Sequence, residues 1–575
     1  MAAMIRALDK QFGENGHLEY SWSNEIREKI VQFSFQLTRT DEKTVEKLRF
    51  HLKNILITLN QQKIHENMYY LSLLYRMIGY TRDIVDGKGE YLLSYMMIFT
   101  WYEYFPELSY FALSCFVNLD EKTHPYGSWK DIKYFCEYCI DHGLTIENPL
   151  IQYAISLMND QLRKDSSSKD ISLVSKWIPR EKSAFGFLYE ALATNYYPEY
   201  MCSAKTVFSK RGAIVKCKTN YRKLISTLNA KLDTVQIKQC NKDWSRIEFN
   251  NVTSITLGKQ KKAFLNIKKN GIIRYSDIDR IECADHFIEH VTKGVNGEIQ
   301  IKGKRVGMQD FTKQALNIIA MKFKYDQIPR EIQTQIDLLN SQWNDNSTQT
   351  NVLGNFIAMV DVSGSMEGDP KYVSTALGIR VAEKSKLGKR VMTFSSHPSW
   401  VNLEPHSDFV SMVGAICTDS GLNTNFYAAL DLILDAIIES KLSPEEVENM
   451  ILAIFSDMQV DAADNSDKQT MFTKIEAKYV AAGNRLYGKP FNVPHILMWN
   501  LRSTDGFPCL SSEKNVSMMS GFSPSLLNLF CDKGIDALQS CTPWSMLVQS
   551  LENKRYVIME DKLKETIKEI QKNIK

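Results

Sequence analysis

Asp361, Ser363 and Ser365 set three oxygen-bearing side chains at alternate positions directly after the apolar run Phe356–Val360. A short apolar run bounded by polar residues and glycine suits a strand buried in a parallel sheet, and open α/β sheets bind ligands where such strands end. Two further pieces follow in order. Thr424 sits in Gly421-Leu-Asn-Thr-Asn-Phe426 ahead of a helical pattern, and Asp457 closes the apolar run that starts at Met450. All five side chains are hard oxygen donors, with no His or Cys among them. That donor set favours an octahedral divalent cation, Mg2+ with Mn2+ as a substitute, which keeps some waters and leaves a place for an incoming carboxylate or phosphate. The expected metal ligands are Asp361, Ser363, Ser365, Thr424 and Asp457.

A second chemistry is carried by cations. Lys205, Lys210, Arg211, Lys216, Lys218, Arg222 and Lys223 occur with no acidic residue between them, and Lys259, Lys261, Lys262, Lys268, Lys269 and Arg274 form another such run. Phe208, Tyr221, Phe264 and Tyr275 are interleaved, so cations can meet phosphates while rings stack on bases. The candidate nucleic-acid residues are Lys205, Lys210, Arg211, Lys216, Lys218, Arg222, Lys261 and Lys262. The competing reading is a set of solvated helix faces. Cys136-Glu-Tyr-Cys139 has no second cysteine pair nearby, and Cys283, His286 and His290 lack the fourth ligand of a tetrahedral zinc site, so packing is the expectation for both. No Ser-His-Asp, Cys-His or HExxH spacing is present, and the chain reads as a binding protein rather than an enzyme.

The Asp361-Val-Ser-Gly-Ser365 segment, followed by Thr424 and Asp457, resembles the metal-ion-dependent adhesion site of von Willebrand factor A domains. That resemblance implies that Ser363, Ser365 and Thr424 hold the metal directly or through water. It also implies that Asp361 and Asp457 act largely through water, and that an acidic side chain of a protein partner completes the shell. The chain departs from the pattern at Leu422-Asn423, which stand where a Gly-Gly pair is usual. A second resemblance rests on the Gly87-Lys-Gly89 loop and the Gly127-Ser-Trp-Lys-Asp131 turn, set in a helical region ahead of the adhesion-type segment. This layout is similar to the Ro ribonucleoprotein autoantigen and related TROVE-module proteins, and more so to an uncharacterised family of plants and large DNA viruses. It implies small structured or single-stranded RNA as a partner on a basic surface.

The elements that must position these residues follow from pattern and composition. The chain has 575 residues, of which 44% are hydrophobic, enough for about two to four domains with ordinary cores. The formal net charge, 70 − 67 = +3, argues against a protein that coats nucleic acid over its whole surface and allows local patches. Eleven scattered cysteines and an N-terminus that lacks signal-peptide character imply free thiols in a reducing, cytoplasmic setting. Tyr91–Tyr102 is strongly apolar but is soon followed by Glu103, Pro106 and Glu107, well short of the ~20 residues of a spanning helix. No membrane contact is expected.

Helical spacing recurs from residue 24 to residue 343, which predicts an all-α, repeat-like array over 1–343. Gly87-Lys-Gly89 reads as a tight helix–helix turn, since it lacks the spacing of a phosphate-binding loop. The polar stretch Asn344–Thr350 predicts a linker over 344–350. An α/β domain follows over 351–545, with strands at 355–360, 390–394, 450–455 and 495–499 alternating with helices. That order predicts a doubly wound parallel sheet with the metal loops at its carboxyl edge. Residues 546–575 form a Lys-rich docking helix or a tail. Two functions compete: RNA binding combined with metal-dependent recruitment of an acidic partner, or a protein-interaction scaffold without RNA.

Overall fold

The computed structural model describes residues 10–61, 67–119, 123–268, 271–323, 325–394, 397–417, 426–459, 471–531 and 534–574. The chain forms two compact units, neither contiguous in sequence: Met1–Leu74 with Glu248–Lys554, and Tyr75–Ile247 with Arg555–Lys575.

The first unit is built on a six-stranded sheet: β3 (Asn355–Asp361), β4 (Arg390–Phe394), β5 (Ser399–Asn402), β6 (Met450–Ser456), β7 (His495–Asn500) and β8 (Val516–Ser520). Their order is β5-β4-β3-β6-β7-β8, and all pairs are parallel except the edge pair β4–β5. This is the doubly wound arrangement, with the strand order reversing between β3 and β6. The central strands carry long apolar runs because helices cover both faces; every residue of β6 and β7 is buried. A small antiparallel hairpin, β1 (Lys10–Phe12) and β2 (Leu18–Tyr20), also belongs to this unit.

β5 and β8 escape a reading of the sequence for physical reasons. β5 is a four-residue edge strand, half exposed, so its pattern is weak. β8 reads Val-Ser-Met-Met-Ser, yet its serines are buried and satisfied: Ser517 shares a hydrogen bond with His495 Nε2 at 2.9 Å, and Ser520 donates to the Ser34 carbonyl at 3.0 Å.

The linear division expected at 344–350 differs from these units. Residues 344–347 complete the helix Arg330–Ser347, whose Trp343 stacks on Phe409 at 4.0 Å and lies under the Arg380 guanidinium at 4.0 Å. The helix Ile26–Gln36, expected in the helical array, joins the sheet unit instead. Asn500 donates to the Phe35 carbonyl, Gln36 donates to the Gly506 carbonyl, and the buried Glu28 carboxylate accepts from the Ser511 amide. These are buried polar groups on both sides, which only close docking can satisfy.

The second unit is helical. Its buried ion pairs explain the two polar breaks. Arg82 grips Asp131 through two bonds of 2.8 Å, and the same carboxylate accepts from Tyr95 Oη at 2.6 Å and the Ser128 amide at 2.8 Å. Asp131 thereby ties the start of helix Trp129–Asp141 to the end of helix Met68–Arg82. Asp83 is held in the same way by Arg555 at 2.6 and 2.8 Å and by Tyr556 Oη at 3.1 Å. Lys88 of Gly-Lys-Gly is buried, its ammonium 5.8 Å from the centre of the Tyr80 ring, and desolvation pushes it down to about 7. A lysine so placed belongs to a turn, not to an exposed phosphate cradle. The C-terminal helix Val557–Ile574 is docked through buried Met559, Leu563 and Ile567, which settles docking helix against tail.

Burial alone would raise the Asp131 carboxyl, but the Arg82 guanidinium and the hydrogen bonds hold it below the ordinary range. A depressed acid stabilises the fold above its unfolded value, about 3.9, and that stability is lost as pH falls through the lower folded value. Asp131→Ala leaves Arg82 buried without a counter-charge, which costs about 3–5 kcal/mol. Urea unfolding of the full chain at pH 7 is expected to show that loss, and Arg82→Met combined with Asp131→Leu to recover much of it.

Candidate metal centre and basic surfaces

Asp361 ends β3 and Asp457 follows β6, so the switch point of the sheet brings two carboxylates together at its carboxyl edge. Both are fully buried, as is Ser363, while Ser365 is half-buried. Asp361 Oδ2 accepts from Ser456 Oγ at 2.6 Å and Oδ1 from the Ser363 amide at 3.0 Å. The Ser363 and Ser365 hydroxyls lie 3.2 Å apart. Adjacent oxygens around an octahedral ion with bonds of about 2.0–2.1 Å are separated by roughly 3 Å, so this hydroxyl pair fits the edge of such a shell. Desolvation, then the neighbouring Asp457, push the Asp361 carboxyl up to about 7. A divalent cation would relieve that repulsion. The site thus gathers Asp361, Ser363, Ser365 and Asp457; Thr424 lies outside the described residues.

A reading of the sequence misses the groups that already answer Asp457. Arg502, two residues beyond β7, donates through Nε to Asp457 Oδ2 at 2.9 Å, and the Asp457 Oδ1 atom accepts from the Gln459 amide. Arg502 is held from its other side by Glu14 at 2.7 Å. Gln459 meets the same hairpin: it accepts from the Glu14 amide at 2.7 Å, donates to Glu19 at 3.0 Å, and its carbonyl accepts from Asn15. Tyr20 and Phe507 exchange backbone bonds of 2.9 and 3.0 Å. The β1–β2 hairpin therefore lies over the β6 and β7 ends. Arg502 has a signal in the sequence, since it follows an apolar strand as Asp361 and Asp457 do. The hairpin has none, being more than 430 residues away along the chain.

The cation candidates separate into three environments. The helix Val207–Leu232 buries only Cys217, Tyr221 and Leu228. Lys205 just ahead of the helix, and Lys210 and Arg211 on it, are exposed and form no ion pair among the described residues, while Lys216 lies 4.0 Å over the Tyr200 ring. Lys218 and Arg222 are already paired with Glu181 at 3.0 and 2.7 Å. Lys261 and Lys262 belong to the other unit, where they line a cavity of about 760 Å³. Cys283 and His290 are packed within an aromatic cluster, with Phe249 and Phe287 rings 5.0 Å apart and His290 5.7 Å from Phe249; burial pushes the His290 imidazole down to about 4.

An acid raised in the folded state destabilises it increasingly between its unfolded value, about 3.9, and its folded value, because the native chain binds the extra proton there. In metal-free buffer, Asp361→Asn is therefore expected to raise the melting temperature at pH 8 and to change it little at pH 4. A melting temperature lowered equally at both values would mean that the carboxylate is not under charge stress.

Residues 355–573 match the model of a domain of unknown function (DUF7788), and residues 152–349 match that of another, DUF2828. An uncharacterized protein of Acanthamoeba polyphaga mimivirus is 27% identical over 561 residues, covering 94% of this chain and 87% of its own. That relative fits the expected link to large DNA viruses. The crystal structure of the RO (RSR) protein of Deinococcus radiodurans aligns over 88% of this chain and 99% of its own, at 9% identity and a TM-score of 0.38. At that score the function has to be read from this chain's own residues.

Proposed function

We propose that the protein is a non-enzymatic RNA-binding protein that tracks phosphates along the helix Val207–Leu232. The observation that carries the reading is the exposed, acid-free set Lys205, Lys210 and Arg211 beside Phe208, a ring 88% exposed to solvent. Exposed Val207 and Val215 share that helix. A ring held in water beside unneutralised cations is suited to stacking on a base while the cations meet its phosphates. The cytoplasm is the proposed compartment, because all eleven cysteines are free thiols. Among the described residues no helix is long and apolar enough to cross a membrane.

A second reading concerns the sheet edge, favoured by the two buried carboxylates and the serine hydroxyl pair. Bound there, Mg2+ would supply a hard positive centre for an acidic side chain of a protein partner, held by Asp361, Ser363, Ser365 and Asp457. Thr424 is part of this proposal through the resemblance alone. Arg502 is the competitor, since it neutralises Asp457 without a metal.

Two measurements separate these readings. Affinity for a single-stranded RNA is expected to fall with salt, and Lys205→Gln/Lys210→Gln/Arg211→Gln to flatten the log–log slope by about 2, at about 0.7 per phosphate lost. Phe208→Ala should weaken binding at unchanged slope, and Lys218→Gln/Arg222→Gln should change little. Equal slopes for wild type and the triple variant would sink the RNA reading and leave a protein-interaction scaffold.

For the metal, calorimetry should register Mg2+ or Mn2+ binding to wild type and a loss of more than tenfold in Asp361→Ala. A wild type that binds neither ion removes the metal from the function.

A further inference from the structure

A cavity of the sheet-containing unit lies among the helices Ser254–Phe264, Met308–Lys322 and Arg330–Ser347. Its volume, about 760 Å³, falls within the range of roughly 300–1,000 Å³ that small-molecule sites occupy. Lys259, Lys261, Lys262 and Lys313 line it against a single carboxylate, Asp310, and none of the four lysines forms an ion pair among the described residues. Lys261 is held by a neutral partner, donating to Gln314 Oε1 at 2.7 Å. Desolvation and adjacent Lys262 push its ammonium down to about 8, a burden that an anion beside it would lift.

The rest of the wall is of another kind. Ile255, Val306, Ile318 and Met321 give it an apolar side. Gln335, 1% exposed, also lines the cavity, and its amide oxygen has no hydrogen-bond partner in the protein. An acceptor buried without a partner costs about 1–3 kcal/mol, which a ligand N–H or O–H would recover. The wall is kept open by Gly258: a Cβ there would stand 3.4 Å from Gln314 Oε1 and 3.7 Å from Gln342 Oε1, so any longer side chain enters the cavity.

We infer that this cavity binds a free nucleotide carrying two or three phosphates, with the phosphates against Lys259, Lys261, Lys262 and Lys313 and the base along the apolar wall. Four ammonium groups against one carboxylate match a polyphosphate better than a monophosphate, and lysines serve phosphates as point charges. A phosphorylated sugar would satisfy the cations and leave the apolar side uncovered. The inference stands apart from the RNA reading, which uses a helix of the other unit.

The test is calorimetry on the full chain with ATP, GTP, AMP and inorganic phosphate as probes. ATP or GTP is expected to bind more tightly than AMP, and inorganic phosphate weakest. Lys261→Met is expected to weaken triphosphate binding at least tenfold. Gly258→Leu should do the same while keeping or raising the melting temperature, since it replaces a glycine inside a helix. Lys205→Gln/Lys210→Gln/Arg211→Gln should leave nucleotide binding unchanged. The inference is overturned if no nucleotide binds wild type at millimolar concentration, or if both pocket variants bind as wild type does. It is equally overturned if phosphate alone binds as tightly as ATP, or if a short oligonucleotide displaces ATP mole for mole, which would assign the cavity to a polynucleotide.

Discussion

Two carboxylates held out of water at the ends of neighbouring parallel strands set the terms for the rest of the sheet unit. Asp361 and Asp457 are both fully buried, and their side chains sit where the strand order reverses. Isolated buried charge is too costly to persist, so such groups must be protonated, paired or bound to a cation. Asp361 is pushed towards its neutral form, and Asp457 is answered by Arg502. Arg502 needs Glu14, and Gln459 needs Glu14, Asn15 and Glu19, so the β1–β2 hairpin and the carboxyl edge are joined through one polar network. A metal at this edge would enter a network already balanced by a guanidinium, and it would have to offer more than Arg502 does.

The helical unit meets the same constraint without a metal in question. Asp131 with Arg82 and Asp83 with Arg555 are bidentate, and each carboxylate also takes a tyrosine hydroxyl. Bidentate guanidinium–carboxylate pairs fix orientation as well as charge. Breaking one leaves the other buried and unsatisfied, which is why these pairs act as joints between helices. The Asp83 pair also accounts for the C-terminal segment: Arg555 and Tyr556 deliver the start of helix Val557–Ile574, and Met559, Leu563 and Ile567 bury its apolar stripe.

Charge on this near-neutral protein divides into cations that already have a counter-charge and cations that do not. Lys218 and Arg222 meet Glu181, whereas Lys205, Lys210 and Arg211 face solvent and Lys259, Lys261, Lys262 and Lys313 face a cavity. An acid-free stretch of sequence does not distinguish these cases, because the neutralising acid comes from elsewhere in the chain. Only the groups without a counter-charge are in a position to take an anion from outside.

Local pattern was enough to read much of the α/β unit. Runs such as Met450–Phe455 are apolar without interruption because both faces of the strand are covered, and their alternation with helices implied a doubly wound sheet with Asp361 and Asp457 at its carboxyl edge. The apolar spacing of Leu563 and Ile567 likewise marked a helix with one face to bury. What only the tertiary structure decided is every relation between residues distant in sequence. Helix Ile26–Gln36 and the β1–β2 hairpin join the sheet unit, Arg502 stands against Asp457, and Lys261 lines a cavity rather than an open face. The reason is that periodicity reports which face of an element is buried, whereas the partner for a buried charge is selected by three-dimensional packing, and no spacing along the chain encodes it.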